Sequence, residues 1–291
     1  MTASALAMVL SAAVLHAIWN IAAKRVADGG YPFVFCYAAL SAVLWLPVGL
    51  IVLAGSDAGL SWALLGASAL SGVLHIAYAN ALQTGYARAE LGVVYPVARG
   101  SGPLLTMLFA VLVLAERPGT VGVVGGLVVI AGVAIVASAR PPGAGTPGSK
   151  GAAIRGVKWG ALTGLAIASY TLWDDRSMTS LDLLPIPYFA MGTAWQSVLM
   201  VPGLHGRGAG LWRVARNHWR EILCIAVLSP LAYVLVLQAM TTTSVALVAP
   251  VRESSIVVGS LLAWKLFHEP APARKFAGAV VVLAGIALIA V

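Results

Sequence analysis

The sequence is poor in charged residues and in cysteine. Charged residues make up 10% of its 291 residues, against about 25% in a typical soluble domain. This scarcity, with 60% hydrophobic residues and a mean hydropathy of +0.93, excludes a soluble enzyme, a nucleic-acid-binding domain and a disordered chain. The two cysteines, Cys36 and Cys224, both lie in apolar runs and lack the spacing of a disulfide scaffold or a metal site.

Enzyme motifs are also missing from the sequence. It contains no HExxH, no GxSxG, no Walker loop and no cluster with metal-ligand spacing. We therefore expect no enzyme activity, no cofactor and no ATP-driven pumping by this chain alone. A membrane-embedded enzyme or lipid-handling subunit is a remote alternative, since it would need a clustered nucleophile or metal set.

Long apolar runs dominate what is present. A bilayer span needs about 20 predominantly apolar residues, and ten such runs predict an all-α integral membrane protein with ten transmembrane helices. The high glycine and alanine content is typical of helices that pack closely in lipid. The runs cover residues 3–22, 33–54, 63–86, 91–113, 119–138, 157–174, 185–203, 222–240, 244–266 and 275–291.

The chain divides into two similar halves. A Pro- and Gly-rich stretch, residues 139–156, is predicted to be a flexible linker between residues 1–138 and 157–291. Trp19 parallels Trp173 at an offset of 154, and further pairs recur at 153 to 155 over most of both halves. Because five spans is an odd number, the second half enters the membrane from the opposite side. The sequence therefore predicts an inverted repeat.

Basic residues set the expected orientation. Of the Lys and Arg residues in connections, 14 fall on one side of the predicted membrane and 2 on the other. The positive-inside rule then places the linker in the cytoplasm and both termini in the periplasm. The net charge of +8 is explained by this orientation signal.

Polar residues inside spans are costly and are therefore candidate site residues. Arg99 and Arg252 each lie about eight residues into their runs, which is about 12 Å of helix and close to the midplane. Pro96 and Pro250, just before them, are expected to loosen or kink both helices. The full candidate set for substrate binding is His16, Trp19, Asn20, His75, Tyr78, Tyr95, Arg99, Tyr170, Trp173, Tyr233, Arg252 and Glu253.

Each candidate has two interpretations. Arg99, Arg252 and Glu253 form a structural charge network, or an arginine holds a substrate carboxylate or phosphate while Glu253 neutralises it in the empty site. The aromatic residues pack the core, or they form a wall for a flat, partly apolar substrate or a cation. His16 and His75 make structural hydrogen bonds, or they exchange protons.

Three stretches carry a family resemblance: HAIWNIAAKR, YPVARGSGPLLTMLFAVLVLAERP and APVRESSIVVGSLLAWKLFHEP. They resemble the EamA repeats of the drug/metabolite transporter superfamily, over nearly the whole chain. The resemblance implies a small-molecule exporter of the bacterial inner membrane, with a central cavity between inverted five-helix halves. Bacterial aromatic amino-acid exporters belong to this superfamily, and the resemblance favours an exporter of that kind. Glu116 and Glu269 belong to a fold-associated motif of these repeats.

One departure from the superfamily affects the expected substrate. Four-helix multidrug relatives carry a proton-exchanging glutamate in the first helix, where this sequence has His16. That residue and the two midplane arginines argue against proton-coupled export of a cation.

Together these observations predict a secondary transporter working by alternating access. It would export amino acids, aromatic or large neutral, or related small metabolites. A lipophilic-cation or drug exporter is the alternative, and it requires Glu253 or Asp174 to be free of arginine pairing. The expected partners are the substrate and the lipid bilayer, with no nucleic acid. The internal repeat makes a monomer sufficient and is compatible with a dimer.

Overall fold

A computed structural model describes residues 1–26, 29–89, 91–137, 150–259, 262 and 273–290. Within these ranges the chain is helical and contains no β-strand. Apolar side chains such as Val43, Ile51 and Leu112 are exposed on the outer surface. An apolar exterior of this kind is expected where helices face lipid.

Five helices form the first half, and their ends lie within three residues of the predicted runs. Thr2 and Ser61 start two of them by accepting hydrogen bonds from Ala5 N and Leu64 N, at 3.2 and 3.1 Å. The helices are α1 (Ala3–Lys24), α2 (Gly30–Ala54), α3 (Trp62–Arg88), α4 (Leu91–Leu112) and α5 (Thr120–Ala137).

The second half departs more from the prediction. The first helix begins at Lys150, inside the predicted linker, whose residues 139–149 lie outside the described part of the chain. The helices are α6 (Lys150–Thr179), α7 (Pro185–Met200), α8 (Gly208–Asn217), α9 (Trp219–Met240), α10 (Val245–Arg252) and α11 (Ala273–Ala290), with a 3₁₀ turn at Val201–Leu204.

The sequence did not predict α8. Its Val214 packs against the apolar ends of α1, α2 and α9, while Arg213, Arg216 and Trp212 are exposed. A short helix with one apolar face, arginines and tryptophan is typical of an element that lies in the membrane interface.

Among the residues that the structure describes, four helical stretches are long and apolar enough to cross a membrane: Ala3–Ala23, Gly30–Ala54, Trp62–Leu82 and Trp219–Met240. Three shorter apolar helices accompany them, at Val97–Leu112, Thr120–Val136 and Phe276–Ala290. Helix α6 is less apolar than these stretches because it contains charged residues, among them Arg155, Lys158, Asp174, Asp175 and Arg176.

The ninth predicted span is interrupted. α10 ends at Arg252, residues 253 and 254 form a turn, and helix resumes over residues 255–259. In the turn, Glu253 N and Ser254 N donate to the carbonyls three residues back, of Pro250 and Val251. The interruption falls just after Pro250, as expected, whereas α4 continues without a break through Pro96.

The two halves pack into one another. α5 packs along α11, α2 along α7, and α4 beside α10. The contact of α3 with α6 is matched by that of α1 with α9, and the contact of α3 with α7 by that of α2 with α9. Match α1–α5 in order with α6, α7, α9, α10 and α11, and replace each helix by its match. The α3–α6 contact then becomes the α9–α1 contact, and α3–α7 becomes α9–α2. The contacts α5–α11, α2–α7 and α4–α10 are each unchanged.

Glycine allows the closest of these contacts. A Cβ atom at Gly132 in α5 would lie 2.7 Å from Val282 N and 2.9 Å from Gly278 O in α11. One at Gly285 would lie 2.7 Å from Gly125 O. Since backbone atoms occupy part of this space and cannot move aside, only glycine fits at these crossings.

Glu116 joins the two halves at the start of α10. Its Oε2 accepts a hydrogen bond from Ser244 Oγ and another, 3.3 Å long, from Ala246 N. Helix N-termini present unpaired N–H groups and a positive dipole end, so a carboxylate there stabilises the helix. Glu116 is therefore a structural cap, consistent with its place in a fold-associated motif. Its counterpart Glu269 lies outside the described residues.

We expect Glu116→Ala to lower the thermal unfolding temperature of the detergent-purified protein. Removing a cap costs about 1 kcal/mol, and Ser244 loses its acceptor as well. Glu116→Gln keeps one side-chain oxygen and should fall between the two. Asp57→Asn, at an exposed position, is the control. An unchanged unfolding temperature in Glu116→Ala would show that the cap contributes nothing.

Candidate functional site

Three charged side chains meet where α10 is interrupted. Arg99 Nη1, from α4, donates to Glu253 Oε2 at 3.0 Å. Arg252 Nε lies 3.5 Å from the other oxygen, Oε1. Arg252 is 5% exposed and Glu253 1% exposed. We call these residues the charged triad, and its formal charges sum to one positive charge in excess.

The excess charge is costly in this buried position. An ionised group taken out of water is stabilised only by opposite charge and by hydrogen bonds to its remaining atoms. Arg252 Nη1 is buried and has no hydrogen-bond partner in the described ranges. Glu253 Oε1 is likewise buried without a hydrogen-bond partner there, so the triad holds one unsatisfied donor and one unsatisfied acceptor.

A cluster of rings borders the triad. The Arg252 guanidinium carbon lies 5.9 Å from the centre of the Tyr170 ring. Tyr170 stacks on His75 with ring centres 4.2 Å apart and meets Tyr78 edge-on at 5.6 Å. Tyr233 meets His75 edge-on at 5.5 Å. We call His75, Tyr78, Tyr170 and Tyr233 the aromatic wall; it combines α3 of the first half with α6 and α9 of the second.

His75 is fixed within this wall by its own helix. Its Nδ1 lies 2.9 Å from the carbonyl oxygen of Ser71, one helical turn earlier. Donation from Nδ1–H to that carbonyl fixes the ring plane against Tyr170 and places Nε2 on the opposite side of the ring.

The other candidates of the first helix form a separate group. His16 and Trp19 meet edge-on with ring centres 4.6 Å apart. Asn20 Nδ2 donates to the His16 carbonyl oxygen at 2.7 Å, so its amide is used within α1. His16 is within range of the charges of Arg99 and Arg252, which connects this group to the charged triad.

Trp173 lies away from the triad and the wall. Its Nε1 donates to the Ala67 carbonyl oxygen at 2.9 Å, which ties α6 to α3. Its ring lines a cavity of about 470 Å³ together with apolar side chains and Arg176, and no member of the triad or wall lines that cavity. The side chain of the last candidate, Tyr95, lies outside the described part of the chain.

Asp174 was not among the predicted site residues, yet it has the densest set of hydrogen bonds. It is 0% exposed. Its Oδ1 accepts from Ser71 Oγ and from Tyr188 Oη, each at 2.7 Å. Its Oδ2 accepts from the Tyr233 hydroxyl. The signal in the sequence was the carboxylate itself, since an acidic residue inside a predicted span is a candidate by default.

The comparisons with known proteins agree with this architecture. One solved crystal structure of a protein superposes with a TM-score of 0.78 at 18% identity, covering 99% of this chain and 96% of that chain, which shows a shared fold. No curated protein matches the chain in sequence. Residues 154–291 match the EamA-like transporter family. With the apolar helices, this match supports the resemblance to the drug/metabolite transporter superfamily and indicates a multi-pass membrane transporter of that type.

Proposed function

We propose that the protein is a secondary transporter that exports amino acids, aromatic or large neutral, or related small metabolites across the bacterial inner membrane by alternating access. The observation that carries this proposal is the excess positive charge of the charged triad beside the aromatic wall. The triad offers a site for a carboxylate, and the wall offers a surface for an apolar or flat side chain.

Binding of a carboxylate follows from the chemistry of the triad. Guanidinium groups present paired N–H donors that match the two oxygens of a carboxylate. Arg252 Nη1 has a donor without a partner in the described residues, and Arg99 already holds Glu253. A substrate carboxylate would bind at Arg252 and bring the local charge to zero. The ammonium group of an amino acid is attracted by Glu253 and by the faces of the tyrosine rings.

Alternating access is supported by how the halves pack. We infer ten crossings in two inverted five-helix repeats, with α10 and the helical stretch after it counted as one crossing. The exchange of helix pairs between halves is what a pseudo-two-fold axis in the membrane plane would produce. The triad contains residues of both halves and an interrupted helix, the usual setting of a transport site.

The test is transport in proteoliposomes with labelled amino acids. We expect saturable movement of phenylalanine, tryptophan or leucine by the wild type, and much slower movement of glycine, which has no side chain to contact the wall. Empty liposomes and liposomes with Arg252→Gln protein serve as controls. Folded protein that moves no amino acid would overturn the substrate assignment and leave the fold untouched.

A second candidate function is the export of a lipophilic cation. It is favoured by Asp174, which accepts only hydroxyl donors and forms no ion pair with an arginine in the described part of the chain. The test follows transport of a labelled lipophilic cation. Its inhibition by a quaternary amine, but not by amino acids, would support this function. Inhibition by amino acids alone would exclude it.

A further inference from the structure

Asp174 combines three properties that a structural residue does not need together. It is ionisable, it lies in the middle of the packed helices with no exposed surface, and its hydrogen bonds come only from hydroxyl groups. Hydroxyls can donate to a carboxylate and can also turn to accept from a protonated carboxyl group. This shell can therefore accommodate both protonation states.

The groups around Asp174 come from three other helices and from α6 itself. α3 contributes Ser71 and, one turn on, His75; α7 contributes Tyr188; α9 contributes Tyr233. On α6 itself, Asp175 is buried, and its Oδ1 has no hydrogen-bond partner among described residues. From the charged triad, the Arg252 guanidinium carbon lies 5.9 Å from the ring centre of Tyr170, one helical turn before Asp174.

We propose that Asp174 is the proton-binding site of this transporter, and that the proton it takes up drives substrate export. The second clause rests on the function proposed above; the first does not. Because the carboxylate is fully buried in this conformation, the proton is exchanged with water when the carrier opens to one side of the membrane. Intramembrane carboxylates of this kind serve as proton relays in other transporters.

Protonation has a defined structural result. A proton from water adds to one Oδ of Asp174 and forms a neutral carboxyl group, which must now donate one hydrogen bond. One of the three hydroxyls must then turn round or release. Ser71 is the donor from the first half, and Tyr233 belongs to the aromatic wall. A change at Ser71 would link protonation to the contact between the halves. A change at Tyr233 would link protonation to the aromatic wall.

Infrared difference spectroscopy tests the proton site without any substrate. Purified protein is taken through a pH step, and the C=O band of a protonated carboxyl group is followed. We expect a titrating band in the wild type that is lost in Asp174→Asn and retained in Asp175→Asn, the matched neighbour. A band that persists in Asp174→Asn, or is absent from the wild type over the whole pH range, would overturn the proposal.

Two further variants keep the test valid if Asp174→Asn does not fold. Ser71→Ala and Tyr188→Phe each remove one hydroxyl that stabilises the charged carboxylate. We expect the midpoint of the band's titration to differ from that of the wild type in both. Trp173→Phe, which removes the hydrogen bond from α6 to the Ala67 carbonyl on α3, should leave the midpoint unchanged. Midpoints identical to the wild type in Ser71→Ala and Tyr188→Phe would contradict the assignment.

Transport with labelled phenylalanine tests the coupling. One-for-one exchange with protons across about one pH unit gives about tenfold accumulation. We expect Asp174→Asn to lose this accumulation but to retain exchange of internal for external phenylalanine. If Asp174→Asn accumulates phenylalanine like the wild type, the proposal that this proton drives export fails and the proposed function stands. If the wild type moves no phenylalanine but shows the Asp174 band, the substrate assignment fails and the proton site stands.

Discussion

An Arg252→Gln transporter is expected to carry labelled phenylalanine about 100-fold more slowly than the wild type, or not at all. Truncating one partner of a buried charge pair at a binding site costs about 2–5 kcal/mol of binding free energy, and each 1.4 kcal/mol is a factor of ten. The variant leaves Glu253 with Arg99 alone, so the triad has no excess positive charge and loses its free donor. The measurement is the initial uptake rate at equal amounts of folded protein in the liposomes.

A double variant separates charge from packing in this result. Arg252→Gln with Glu253→Gln restores an excess of one positive charge through Arg99, and we expect it to recover at least part of the lost rate. Arg213→Gln, on the exposed face of α8, changes the same kind of residue far from the triad and should transport normally. Wild-type transport by the single Arg252→Gln variant would remove the triad from the substrate site.

Replacing Gly132 by alanine should damage the fold strongly. The new Cβ would lie 2.7 Å from a backbone nitrogen and 2.9 Å from a backbone oxygen of α11. Over-packing a well-packed contact typically costs about 1–3 kcal/mol, and the higher end applies here because no side chain can move aside. The expected outcome is a lower unfolding temperature and a smaller yield of monodisperse protein after purification.

Gly66→Ala is the matched control for this prediction. Gly66 also lies inside a helix, α3, but a Cβ there meets nothing within 4 Å. Alanine is more favourable than glycine in a helix by about 1 kcal/mol, so this variant should be at least as stable as the wild type. Equal stability of the Gly132 and Gly66 variants would show that the contact between α5 and α11 is looser than the structure indicates.

Hydropathy predicted the helices of the first half closely and those of the second less well. Runs of apolar residues mark α1–α5 because each is apolar over most of its length. The hydropathy pattern did not predict α8 because its apolar face is short, with Leu211 and Val214 lying among arginines. The interruption after Arg252 could be anticipated from Pro250, but its place at Glu253 depends on hydrogen bonds that a sequence does not display.

The internal repeat identified many of the site residues but not which of them contact one another. It singled out Tyr170, Tyr233 and Arg252, which the structure brings together. Trp173 shares the helical face of Tyr170, yet its indole N–H takes the Ala67 carbonyl on α3 as acceptor. The donors to Asp174 come from three other helices, so no spacing along α6 could have shown them.

The interlocked packing of the halves has a consequence for biosynthesis. A chain grows from its N-terminus, and α1, α2 and α5 find their main partners in α9, α7 and α11. The first five helices therefore enter the bilayer before the surfaces that complete them exist. Gly125 and Gly132 lack their packing contacts with α11 until that helix has been synthesised. A chain cut short before α11 would leave α5 without its main packing partner.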